Sequence, residues 1–413
     1  MPLFDLFLLV CSAAVVLVWT ALSVHLIAIH RRRTAARSTI AAAMAAFENG
    51  NAVDLPLRER VDRIRPILEQ ASRELVMFAA ADRDTPRSVA DALRAYLVER
   101  WSVEALERDA AAHRSGREKW RRMTALQILF TLRHPRRMQL AADAVDDRDS
   151  DVAFAALALL SDSEEPSAID ILLRALRSRT HPASRVAVHL DRSPQHLADR
   201  LQPLLADDDP VVRRWAATLL SRYSDAPGLE QDLERLVTDE DPGVRKAAIE
   251  ALGYIGDAGA AGAAVRLLDD PVPFVRAAAI RAIGRLERDD LATAVTGRLG
   301  DTDWWVRFAA KECLEAMGPD IWPVLVRRLD DPDRFVRNGA AEVFQNLGVL
   351  DSFIVLEAAS DAPAPRNIEL LRRITAAGGV RLTDSLFERA GPSLAPRLRH
   401  LLSTLGLEHV GAA

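Results

Sequence analysis

The sequence predicts an all-α protein, an α-solenoid of stacked helical pairs, preceded by one apolar helix long enough to cross a membrane. Three observations carry that expectation. A short unit recurs at a nearly constant interval, aromatic residues make up only 5% of the 413 residues, and residues 6–29 are almost wholly apolar. A stacked array buries each unit's apolar face against its neighbours alone, so it grows without the size limit of a single core.

The clearest copy of the unit is residues 238–257, TDEDPGVRKAAIEALGYIGD. Asp241 and Pro242 read as a helix start, because an aspartate accepts the open backbone N–H groups of a first turn and a proline there loses nothing by lacking its own. Val244, Ala248, Ile249 and Leu252 then share one face at helical spacing, and Ala247, Ala248 and Ala251 let a neighbouring helix come close. Gly253 and Gly256 are read as the end of the helix.

The Val-Arg pair of this unit recurs at Val212-Arg213, Val275-Arg276, Val306-Arg307 and Val336-Arg337, with arginines 32, 31, 31 and 30 residues apart. Four residues after each Val stand Ala216, Ala248, Ala279, Ala310 and Ala340, and eight after it Leu220, Leu252, Ile283, Leu314 and Phe344. The strongest repeats therefore fill residues 206–348, and such a period marks a stacked array. Projected outward, it reaches Trp120-Arg121 with Ile128, then Val152 with Ala156 and Leu160. Echoes at Arg185, Arg366 and Arg397 rest on spacing more than on content.

These residues resemble the HEAT-repeat family, in the short bacterial form also found in proteins related to phycobilin lyases. The resemblance implies a pair of helices per unit, the second holding the Val-Arg pair after a turn rich in Asp and Pro. First helices are expected at 168–176, 229–237, 261–268, 291–299 and 321–329. The family also implies two alternatives to a plain scaffold, a bilin lyase or isomerase and a DNA-binding HEAT-like protein.

Ahead of the array, residues 6–29 are interrupted only by Ser12, Thr20, Ser23 and His25. As a helix they span roughly 36 Å, against about 30 Å of hydrocarbon. Asp5 precedes the run, no Lys or Arg does, and no A-x-A site follows it, which favours an anchor over a cleaved signal. Arg31, Arg32, Arg33 and Arg37 follow directly, and positive charge stays on the cytoplasmic side. The expected layout is a single-pass protein of a bacterial inner membrane with its N-terminus outside. Residues 1–30 are the anchor, 31–112 a basic juxtamembrane helical region that caps the array, and 113–413 the cytosolic solenoid. From Arg31 to Arg137 there are 22 Lys and Arg against 14 Asp and Glu, and from Met138 onward 32 against 44. The basic part is drawn to anionic lipid headgroups near Arg31, Arg32, Arg33 and Arg37. The acidic array weighs against nucleic acid.

Motifs for catalysis are absent: there is no G-x-S-x-G, no G-x-x-x-x-G-K, no H-E-x-x-H and no C-x-x-C pair. The expectation is a non-catalytic protein without metal or cofactor. Cys11 and Cys313 lie far apart in apolar contexts and imply no disulfide framework. His181, His189 and His196 are spaced eight and seven apart and read as surface residues. Aspartates such as Asp207, Asp208 and Asp209 recur in every unit and read as capping turns. The repeated Arg reads as one side of an Asp and Arg ladder between units. One feature stands apart. Phe274, Trp305 and Phe335 precede the Val in three consecutive units, with Trp304 beside the second and Phe308 and Lys311 further along its helix. Packing of each ring onto the preceding unit is the reading the repeat favours. An exposed apolar ridge contacting a protein partner at the same membrane is the other.

Overall fold

The stripe read along the second helices is what the fold buries. In the computed structural model, Val212, Val244, Val275 and Val306, the five alanines from Ala216 to Ala340, and Leu220, Leu252, Ile283, Leu314 and Phe344 have 0% exposure, and Val336 keeps 6%. The structure describes residues 56–69, 86–100, 102–111, 119–256, 258–360, 364–377 and 385–405, together with a few isolated positions. The expected anchor, the cluster Arg31, Arg32, Arg33 and Arg37, and Cys11 lie outside the described residues. Among the described residues no single helix is long and apolar enough to cross a membrane.

Contacts divide the chain into two units, 1–195 and 196–413. The division falls beside the degenerate copy around Arg185. The first unit holds α1 (Leu57–Leu68), α2 (Arg87–Arg100), α3 (Val103–Ala110), α4 (Lys119–Thr131), α5 (Arg137–Val145), α6 (Ser150–Ser161), α7 (Pro166–Ser178) and α8 (Ala183–Asp191). In the second, α9 (Ala198–Leu201), α10 (Pro210–Leu220), α11 (Leu229–Leu236), α12 (Pro242–Ile255), α13 (Ala258–Leu267), α14 (Pro273–Arg285) and α15 (Ala292–Thr296) come first. After them come α16 (Trp304–Ala316), α17 (Trp322–Arg328), α18 (Arg334–Asn346), α19 (Val349–Ala359), α20 (Pro365–Ala376) and α21 (Ser385–Thr404).

In the second unit α10, α12, α14, α16 and α18 stack side by side in that order. Asp209, Asp241, Asp303 and Asp333 each cap a helix by accepting a first-turn N–H, and Pro210, Pro242 and Pro273 occupy the first helical position. The first helices at 168–176, 229–237 and 261–268 form within a few residues of the expected bounds, as Pro166–Ser178, Leu229–Leu236 and Ala258–Leu267. Those at 291–299 and 321–329 are shorter than expected. Instead of one helix over 291–299, α15 has five residues between 3-10 turns at Asp289–Leu291 and Gly297–Gly300, and α17 follows another at Gly318–Ile321. The turn at Gly300 passes close to α18, where a Cβ on this residue would stand 2.9 Å from Val336 Cγ2.

Gly253 does not end its helix. It is buried inside α12, and a Cβ there would stand 3.0 Å from both Cα and Cβ of Ala282 on α14, so it sets the spacing of two stacked helices. Gly256, at φ +83°, is the cap, and its N–H donates to Leu252 O at 3.1 Å. Gly253→Val is therefore expected to force α12 and α14 apart and to cost about 1–3 kcal/mol in denaturant unfolding. An unchanged midpoint would contradict that contact.

Of the outlying copies, the one at Val152 keeps the expected register, with Val152, Ala156 and Leu160 all at 0% exposure, whereas those in α4 and α8 are shifted. In α4 Arg121 is exposed. Arg122 is 2% exposed, with Ala125 and Leu129 at 0%, so the unit begins one residue later than Trp120-Arg121. In α8 the buried residues are Val186, Ala187, His189 and Leu190, while Val188 is 55% exposed, a displacement of two. The core of α20 is Leu371 and Ile374. His189 is thus a core histidine and not a surface one. It meets the edge of Phe154 at 6.1 Å, and burial, with Arg192 nearby, pushes its imidazole below the usual range. In the first unit α1 ends at Leu68, with Pro66 in its last turn. Ser102 divides α2 from α3 by accepting the Ala105 N–H, and α3 packs on α4.

Candidate protein-binding edge

The edge is built on the turn before each second helix. Asp207, Asp239, Asp270, Asp301 and Asp331 each accept the backbone N–H two residues on, at 2.9–3.1 Å, which folds the turn back on itself. Into this turn the repeated Arg inserts Nη1, donating to two carbonyls, as Arg213 does to Asp207 O at 2.8 Å and Asp208 O at 3.1 Å. Nε and Nη2 then reach the next unit. Arg213 holds Asp239 at 2.8 and 2.9 Å, Arg245 holds Asp270 at 2.7 and 2.9 Å, and Arg276 holds Asp301 at 2.8 and 2.7 Å. Paired parallel bonds of this kind fix geometry as well as add energy. Burial pushes the Asp270 and Asp301 carboxyls up. Arg245 and Arg276, with the turn N–H groups, outweigh it and hold both below the usual carboxylate range. The first unit holds a similar pair, Arg122 with Asp147 at 3.1 Å, both buried.

At Arg307 the ladder changes. Its Nη1 still donates to Asp301 O at 2.8 Å and Thr302 O at 3.1 Å. Arg245 and Arg276 find their aspartate 25 residues ahead, but the residue 25 after Arg307 is Pro332. Asp331 stands one place short and is held by Arg328 at 3.3 Å. The Arg307 guanidinium lies instead over the ring of Phe335, 4.6 Å from its centroid, and Arg334 lies over the same ring at 4.8 Å.

The aromatic residues singled out in the sequence are on this edge. Their exposures are 46% for Phe274, 52% for Trp304, 61% for Trp305 and 42% for Phe335, so none is buried between units. The capping bonds Trp305 N–H to Asp303 at 2.8 Å and Phe335 N–H to Asp333 at 2.7 Å fix where these helices start, and hence where the rings leave them. Trp304, Trp305 and Phe308 form one cluster. Trp304 stacks on Phe308 at 5.3 Å and meets Trp305 edge-on at 4.6 Å. Phe335 sits with the two guanidinium groups and Phe274 on the preceding unit, neither in ring contact with the cluster among the described residues. Lys311 is half-buried and paired with Glu342. Arg307 and Arg334 were not expected here. The signal for them is the fourth interval, 30 residues instead of 31, which puts a proline in the aspartate slot.

Among the described residues no group of three or more His, Cys, Asp or Glu could hold a metal ion. Cys313 is buried beneath α14, and burial pushes its thiol up to about 12.

A family model described as HEAT repeats matches residues 197–284 and 263–345. The fold is a HEAT-like α-solenoid. No curated protein matches the chain. Among solved structures, an engineered protein from a structural genomics consortium is 19% identical over 88% of this chain and 95% of its own, with a TM-score of 0.37. Kap95 in its complex with Nup1 is 15% identical over 89% of this chain and 59% of its own, with a TM-score of 0.46. Kap121p bound to Pho4p is 14% identical over 90% of this chain and 46% of its own, with a TM-score of 0.44. This chain thus spans about half the length of those two karyopherins.

Proposed function

We propose that this protein is a non-catalytic scaffold, held at a bacterial inner membrane by residues 1–30. Its cytosolic solenoid, residues 113–413, binds a protein partner at the same membrane through Phe274, Trp304, Trp305, Phe308, Lys311 and Phe335. The observation that supports this most is the exposure of four large rings on consecutive units of one edge. Exposed apolar surface is costly to leave in water, and tryptophan-rich clusters are where interfaces concentrate their binding energy. The basic region 31–112 would lie against anionic headgroups and the acidic array away from them.

The two alternatives fare worse. DNA binding needs arginines free for phosphate, and Arg213, Arg245 and Arg276 are bound to aspartates. Against a bilin lyase, the described cysteine, Cys313, is buried, and so is His189.

The test is a photo-reactive phenylalanine analogue at position 305, activated in intact membranes. A discrete crosslink to another protein, absent when the analogue stands at buried Val306, is expected. Crosslinks to lipid alone would refute the reading. The orientation is tested separately. A reporter active only in the cytosol, fused after Ala413, should be active and a periplasmic one silent, and the reverse would overturn the argument from Arg31 to Arg37.

A further inference from the structure

If the edge binds a protein, its chemistry specifies part of what binds. In three successive units the Nε and Nη2 donors of the repeated Arg are closed by a carboxylate, Asp239, Asp270 or Asp301. In the fourth they are not, because Pro332 stands in that slot and Asp331 is held by Arg328. Arg307 remains anchored by Nη1 to two carbonyls, so its remaining donors are presented by a fixed group. Arg334 adds a second guanidinium on the same phenylalanine, and neither is paired with a carboxylate among the described residues. Trp304 and Phe308 flank Arg307 three residues before it and one after, on the same helix.

We propose that the partner segment on this edge carries a carboxylate beside an apolar side chain, and that this carboxylate closes Arg307 as Asp239, Asp270 and Asp301 close the arginines before it. The apolar neighbour seats on Trp304, Trp305 and Phe308. A run of acidic residues does not fit, because Asp303 and the exposed Asp333 cap the flanking helices and repel additional negative charge. The occupant is therefore one Asp or Glu within an apolar stretch. This deepens the proposed function and rests on it.

The experiment selects random twelve-residue display peptides on the full-length chain in nanodiscs and measures the binding of the winners to variants. The expected winners hold a single Asp or Glu next to an aromatic or aliphatic residue. Their Kd should rise about tenfold or more with Arg307→Gln, as for loss of a charge-assisted pair, and likewise with Trp305→Ala. Arg307→Lys should recover little, since an ammonium cannot form the two parallel bonds. Winners that lose binding with Trp305→Ala but keep it with Arg307→Gln, or that lack an acidic residue, would overturn the carboxylate and leave the edge as a binding surface. Winners indifferent to both variants, the absence of any winner, or ridge-dependent binding of anionic phosphatidylserine vesicles instead would overturn the carboxylate and the binding edge together. Each variant is checked for an unchanged melting midpoint, and Arg334→Gln provides a second removal of positive charge at the same ring.

Discussion

Asp270→Ala should destabilise residues 196–413 by about 3 kcal/mol or more, since breaking a buried ion pair strands the remaining charge. The Asp270 side chain is 4% exposed and that of Arg245 13%. The substitution removes both bonds from Arg245 and the acceptor of the Val272 N–H, so one turn loses its fold and its link to the preceding unit together. Asp269→Ala is the control. Its carboxylate is 78% exposed in its pair with Arg298, and surface pairs contribute about 0–1 kcal/mol. Urea unfolding of both variants decides the matter, and equal midpoints would contradict a structural ladder. The same pairs set a pH dependence. Asp270 and Asp301 are held below the ordinary carboxylate range in the folded chain, so the unfolded chain binds protons first as pH falls. Their contribution is fully present above the unfolded carboxylate value of about 4 and is lost as pH drops through the lower folded values. Unfolding free energy should therefore fall more steeply with acid in the wild type than in Asp270→Asn.

Ala279→Asp should be at least as damaging. Ala279 has no exposed surface and lies on α14, which packs between α12 and α16, so a carboxylate there is buried without a partner. A loss of about 4 kcal/mol or more is expected. Because repeats couple chiefly to their neighbours, hydrogen exchange should quicken first in α12 to α16 and less in α19 to α21. Wild-type melting and exchange in this variant would mean that the repeat register is wrong.

That register was readable in the sequence wherever the unit kept its full pattern. Val, Ala and Leu at intervals of four, with Asp and Pro before them, leave only one face that a helix can bury, and residues 206–348 bury that face. Outward, the projection holds at Val152, Ala156 and Leu160, where apolar content goes with the spacing, and spacing without that content does not locate the core. Around Arg185 the apolar residues Val186 and Leu190 are displaced by two from the projected slots, and burial followed the side chains, not the period. Local rules assign a glycine near a helix end to a cap, whereas the position of Gly253 is set by Ala282, 29 residues away in sequence. The aromatic residues of the edge were readable as a row, but their exposure was not, since a ring at a helix start can turn onto the preceding unit or away from it. In the sequence Arg307 is one of five equivalent positions. Its altered role depends on a one-residue shortening that matters only once Asp331 is placed beside Arg328.

The most direct measurement of the central claim pairs thermal melting with membrane crosslinking for Trp305→Ala, the photo-reactive analogue being carried at position 335. An exposed ring contributes little to folding, so the melting midpoint should stay near the wild-type value, within about 0.5 kcal/mol of stability. The crosslink to the partner should fall sharply, because an aromatic anchor can contribute about 2 kcal/mol or more to an interface. A variant that loses about 3–5 kcal/mol, the cost of truncating a buried tryptophan, would contradict the exposed edge. One that stays folded and crosslinks as strongly as the wild type would contradict its role in binding.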